Sequence, residues 1–299
     1  MLKQYEELNS DSAKYFISII TDMKMSQKEY ERCLIEINLL NDTGTLFIIK
    51  LLYMFKQDNK EVSFLFKGMI NNLLILYKLG LNGVDPNKYN LPYELYNDES
   101  ISFEIINGFV SDLIHYATKN EFNYYLIKNY NIQNNATSYL VLPSYCNDDK
   151  LLLKFNDDIL ELSHDNKNVE EKYLIINIGE KYPFINSNFD LQLKTVTKKI
   201  RLIQKNMIQN SFTYREDIYN YLLMHDIDKQ KCIEIYNFIT KAIKNEIKWH
   251  EYVTLMEEHK CSSECINMFK NIKFKLGKGE IINEYLFMLD KENYIIYEN

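Results

Sequence analysis

The chain has 299 residues, 46% hydrophobic and 26% charged, which supports a sizeable core and excludes a disordered chain. Lys and Arg total 35 against 42 Asp and Glu, a net charge of −7. That argues against a protein built on non-specific nucleic-acid binding, though a local basic face is compatible with it. With only 8 Gly and 4 Pro, collagen-like and linker-rich organisations are excluded as well. The five cysteines, Cys33, Cys146, Cys232, Cys261 and Cys265, form no disulfide framework and point to a reducing, cytoplasmic setting. The opening MLKQYEELNSDSAKYF lacks the apolar stretch of a secretory leader. No window offers the roughly 20 apolar residues of a bilayer span, so no membrane partner is expected.

In chain order, residues 12–56 read as helix-rich, with Cys33, Ile37 and Leu40 at helical spacing. VSFLFKGMINNLLILYKLGL (62–81) begins β-branched and aromatic, then turns helical and ends at Gly80, a C-cap. VDPNKYNLPYELYNDES (84–100) carries two prolines and reads as a structured loop. ISFEI (101–105) alternates like a short strand, and 108–130 looks helical. SYLVLPS (138–144), KLLLKF (150–155), KYLIINI (172–178) and NFDLQL (188–193) are strand candidates, the last leading into the basic helix 194–207. From residue 214 the pattern is helical. The plan is α+β, with no legible internal repeat and a soft boundary near Asn210 that separates residues 1–210 from 211–299.

At 62–98 the pattern becomes specific. The helix end LGL (79–81) runs into DPNKYNLPYELY (85–96), in which Asp85, Pro86, Tyr89, Asn90, Leu91 and Glu94 are in register with a known family. This resembles the catalytic α subunit of bacterial replicative DNA polymerase III, the C family. YREDIYNYLLMHDID (214–228) is similar to that family's Arg-Asp-Asp-Ile segment. In the stretch 256–285, Met256, His259, Lys270, Ile272, Lys273, Phe274, Lys278 and Tyr285 hold family register. FDLQLKTVTKKIRLIQK (189–205) resembles the family's third catalytic strand and the helix after it. The four blocks come in the family's order, which weighs more than any one of them.

The resemblance implies a polymerase-β-like nucleotidyltransferase palm, a mixed sheet with flanking helices, over 1–210, and a partial, all-helical fingers region over 211–299. Nucleotidyl transfer there uses two divalent metals held by three carboxylates, two of them at i and i+2 on one strand so that both share a face. The corresponding positions are Ser102, Glu104 and Asp190. One carboxylate has become a hydroxyl and another is longer by a methylene. That leaves Glu104 and Asp190 as ligands for Mg²⁺ only if activity survives, and no cofactor is otherwise expected. The phosphate-facing positions are eroded too: Gly-Arg-Gly-Ser reads Phe66-Lys67-Gly68-Met69. Lys278 is retained, but Glu280 stands where the family has His, and a Gln-His-Pro-Gly-Gly-like segment is degenerate in 132–142.

Simpler readings stand beside these. Ser102 and Glu104 fit the solvent face of an ordinary strand, and Asp190 fits a turn. Lys194, Lys198, Lys199, Arg201 and Lys205 fit a solvated helix face as well as a DNA contact. His259, Cys261 and Cys265 have loose spacing with no fourth ligand, so zinc is not expected. Trp249, Tyr252 and the many other tyrosines read as core and surface fill. The resemblance therefore implies a polymerase-like protein that has lost its catalysis and acts on replication by binding a replisome protein or primer-template DNA. The alternatives are a minimal active polymerase using Glu104 and Asp190, and an unrelated helical interaction module.

Overall fold

A computed structural model describes residues 2–96, 100–106, 109–119, 124–131, 136–143, 152–155, 158–161, 175–181, 198, 214–240, 245–271 and 277–286. The fold is α+β. The chain divides into two interleaved units: residues 1–24, 37–62 and 99–181 form the first, and 25–36, 63–98 and 182–299 the second. The border expected near Asn210 lies outside the described residues. Among the described residues, no helix is long and apolar enough to cross a membrane.

The first unit combines helices and a mixed sheet. Helix α1 (Leu2–Asp22) packs on α3 (Leu46–Asp58), and α3 on α5 (Phe109–Lys119), which in turn lies against strand β2 (Ser100–Ile106). Phe16 and Ile20 of α1 and Ile49, Leu52 and Phe55 of α3 are buried at helical spacing. Strand β2 runs parallel to β7 (Ile175–Lys181), which is antiparallel to β4 (Ala136–Pro143), itself antiparallel to β3 (Tyr124–Asn131). β5 (Leu152–Phe155) and β6 (Asp158–Glu161) form a separate hairpin. Of the helix expected over 108–130, residues 109–119 are helical, whereas 124–130 belong to β3. YYLIKNYN alternates over too short a span to set the helical period apart from the strand period.

The second unit begins with the first part of α2 (Gln27–Asp42) and continues with β1 (Phe64–Phe66), a 3₁₀ turn over Gly68–Asn72 and α4 (Leu74–Lys78). Gly80 ends α4 in the left-handed region, φ 67°, as expected of a C-cap. The 84–96 loop follows, with a 3₁₀ turn at Tyr93–Leu95 packed on Gly68–Asn72. Its residues Leu91 and Val84 join Tyr214, Ile281 and Ile282 in a buried cluster flanked by Tyr89, Tyr285 and Leu286. Helices α6 (Arg215–Met224) and α7 (Lys229–Thr240) pair, as do α8 (Glu246–Glu258) and α9 (Ser263–Asn271). Helix α10 spans 278–286.

The two helical hairpins are a quasi-repeat that the sequence pattern did not disclose. α6 ends at His225 and α8 at His259, 34 residues apart. The His225 ring Nδ1 faces the His259 carbonyl at 3.1 Å, and the His259 Nδ1 faces the His225 carbonyl at 3.0 Å. A carbonyl only accepts, so both Nδ1 atoms carry hydrogen. Left-handed Asp226 and Lys260 follow, φ 57° and 59°, and then buried Ile227 and Cys261. The buried pairs Leu222 and Met256, Cys232 and Ile266, and Ile235 and Phe269 keep the same offset.

Candidate functional site

In the first unit, β2 carries Ser102 and Glu104. Ile101, Phe103 and Ile105 are buried while Ser102 and Glu104 are half-buried, so the latter two share the less enclosed face. Ser102 pairs with Asn177 and Glu104 with Gly179 on β7. The neighbouring strand therefore places no acid beside the pair; its Glu180 is in register with Ile105, one row away. Asp190 lies outside the described residues, as do Lys194, Lys199 and Arg201. Lys198 is helical and exposed.

The second unit assembles Lys67, Gly68 and Lys278 around the first turn of α10. Gly68 opens its 3₁₀ turn at φ 77°, a conformation L side chains rarely adopt, and its N–H donates to Glu280 Oε2 at 3.1 Å. Burial raises the Glu280 carboxyl above the ordinary range, opposed by the Gly68 N–H and by Lys67. Lys278 is 4% exposed, and its ammonium donates to Asp217 Oδ1 at 3.1 Å. Asp217 Oδ2 also accepts from Tyr214 N at 3.1 Å, closing the start of α6.

Beside Asp217, Glu216 is fully buried. Its Oε1 accepts from Lys278 N at 2.8 Å and Gly279 N at 3.4 Å, so a carboxylate satisfies the free amides that begin α10. Among the described residues its Oε2 has no hydrogen-bond partner. Burial raises its pKa, and the two amides oppose that. Gly279 leaves no room for a side chain: an added Cβ would lie 2.6 Å from Asn72 Oδ1 and 3.1 Å from Asn71 Cβ.

The adjoining 84–96 loop is pinned from both ends of the unit's sequence. Arg32 Nη1 donates to Asn87 Oδ1 at 2.9 Å, and Nη2 donates to the carbonyls of Asn72 at 2.8 Å and Leu91 at 3.0 Å. Its Nε holds buried Glu36 at 2.8 Å, and Glu36 Oε2 in turn accepts from Ile75 N at 2.8 Å. Lys229 pairs with Glu94 at 2.6 Å, and both Arg32 and Lys229 lie over the Tyr93 ring.

Sequence reasoning missed Arg32, Glu36 and Glu216. An Arg-x3-Glu spacing on a helix is a weak signal, and the adjacent acids Glu216 and Asp217 pass for an ordinary acidic helix start. Trp249 and Tyr252 are buried. Among the described residues, no three His, Cys, Asp or Glu side chains gather as a metal-ligand group. No family model matches the chain, and neither does any curated protein or solved structure.

Proposed function

We propose that the chain is a polymerase III α-like protein that acts in DNA replication by binding a replisome protein or a primer-template end, without transferring nucleotides. The observation that carries the reading is that the chain's own acids occupy its phosphate-facing groups. The Gly68 amide is taken by Glu280 and the Lys278 ammonium by Asp217, the latter pair almost wholly out of water. A triphosphate would have to displace two carboxylates and meet their repulsion. A second observation agrees: Tyr89 and Leu91 of one resembling block pack with Tyr285 of another, far apart in sequence. The order β2-β7-β4-β3, with α5 crossing between β2 and β3, suits a palm of the nucleotidyltransferase type.

Two measurements on the full chain test it. Primer extension with Mg²⁺ or Mn²⁺ is expected to give no product; extension that Asp190→Ala abolishes would establish an active enzyme instead. Fluorescence anisotropy with a labelled primer-template is expected to show binding that falls steeply with added salt. Charge reversal at Lys198 and Lys199 should weaken it. An absence of DNA binding leaves the protein partner as the form of the proposal to test, by capture of replisome subunits.

A further inference from the structure

A cluster between the helical hairpins takes no part in the function proposed above. Ser262 begins α9: its Oγ accepts from Cys265 N at 3.2 Å and its carbonyl from Ile266 N at 3.0 Å. Cys261 is therefore the residue before the cap and Cys265 lies in the first turn, so both stand at the same helix end. Cys261 is 7% exposed, Cys265 is half-buried, and both are free thiols. The Tyr221 hydroxyl accepts from Ser262 N at 3.0 Å and bonds the Cys265 thiol, while its ring lies 4.4 Å from that of His225. Burial and then the adjacent Cys265 push the Cys261 thiol up to about 11. Cys33 and Cys232 differ: each is wholly buried, with its thiol pushed up to about 12.

We propose that Cys265 is a modification site for low-molecular-weight disulfides, with Cys261 as its resolving thiol. The Cys265 thiolate attacks one sulfur of glutathione disulfide, forms a mixed disulfide and expels one glutathione thiolate. Cys261 gives up its proton to solvent and attacks the Cys265 sulfur, forming the Cys261–Cys265 bond and expelling the second thiolate. Two protein thiols are oxidised, one glutathione disulfide is reduced to two glutathiones, and the two protons released end on them. Cys261 follows left-handed Lys260 and His259 directly. Drawing it out of the core therefore disturbs the reciprocal histidine contact, and the redox state of the pair sets how firmly the hairpins hold together.

The test treats the full chain with glutathione disulfide and maps peptides without reduction; Lys260 and Lys270 bracket both thiols in one tryptic peptide. In the wild type that peptide should lose two hydrogens. Cys261→Ser should instead retain one glutathione on Cys265, and Cys265→Ser should leave Cys261 unmodified; Cys261→Ala serves if the serine variant fails to fold. The oxidised wild type should melt about 2–4 °C lower and recover with reductant. A stable glutathione adduct on wild-type Cys265, or equal labelling of Cys33 and Cys232, overturns the proposal. A bridged protein with an unchanged melting temperature overturns the link to the histidine contact.

Discussion

Glu216 is a carboxylate removed from water, held by two amides on one oxygen and, among the described residues, by no hydrogen bond on the other. Its raised pKa means that the folded chain holds this proton more tightly than the unfolded chain does. Its contribution to stability is therefore full below the ordinary value of 4.5 and is lost as pH rises through the folded value. Glu216→Gln keeps the accepting oxygen and removes the titration. Its unpaired Nε2–H₂ lowers stability at every pH, so the informative quantity is the difference from wild type as pH changes. Between pH 4 and 8 that difference should shift in the variant's favour by on the order of 1 kcal/mol. Denaturant melts across that range check it, and a difference independent of pH would mean that the fold leaves the Glu216 pKa unshifted. Gly279 gives a second residue-scale prediction. Asn72, which an added Cβ would strike, is itself tied to the Pro92 carbonyl at 3.1 Å and cannot simply swing away. Gly279→Ala should cost about 1–3 kcal/mol in urea unfolding, and a loss below a few tenths would show that the α10 start shifts freely.

At the scale of elements, the 84–96 loop shows what a sequence pattern conveys. Its prolines announced a structured loop, and within it Asp85 Oδ1 accepts from Asn87 N at 3.0 Å. The pattern could not show what holds the loop in place, because Arg32 lies 55 residues before Asn87 and reaches it only in the folded chain. Arg32 satisfies two backbone carbonyls, a side-chain amide and a carboxylate with one planar group, a geometry that lysine lacks. Arg32→Lys should cost about 1–3 kcal/mol and loosen the loop around Lys88, which is already exposed. Limited trypsin digestion should then cut after Lys88 several-fold faster than in the wild type. Unchanged cleavage there would place the restraint with Lys229 and Glu94 instead. The quasi-repeat of the hairpins stayed hidden for a related reason. Its buried pairs conserve position but not type, as in Cys232 against Ile266, and only the spaced His225 and His259 offered a signal.

At the scale of the whole molecule, periodicity placed the helices and most described strands, because burial on one face leaves its period in the sequence. It conveyed the grouping of elements poorly, because grouping depends on contacts made far along the chain. Residues on the two sides of the boundary expected near Asn210 illustrate this. In the second unit, Val84 and Leu91 are buried with Tyr214, Ile281 and Ile282, so residues on both sides of that boundary complete one cluster. The same holds for its polar contacts, Gly68 with Glu280 and Glu94 with Lys229, of which the first spans 212 residues. A fragment of residues 211–299 would expose the apolar faces of α6 and α10 and leave Glu280 without its amide. A fragment of 1–210 would leave Val84, Leu91 and Met69 uncovered. Neither should melt cooperatively alone, and mixing the two should restore a cooperative transition if both remain soluble. Circular dichroism melts of each fragment and of the mixture decide it. A sharp, independent transition in 211–299 would show that the helical third stabilises itself, and the Gly68–Glu280 contact would then join two separately stable bodies.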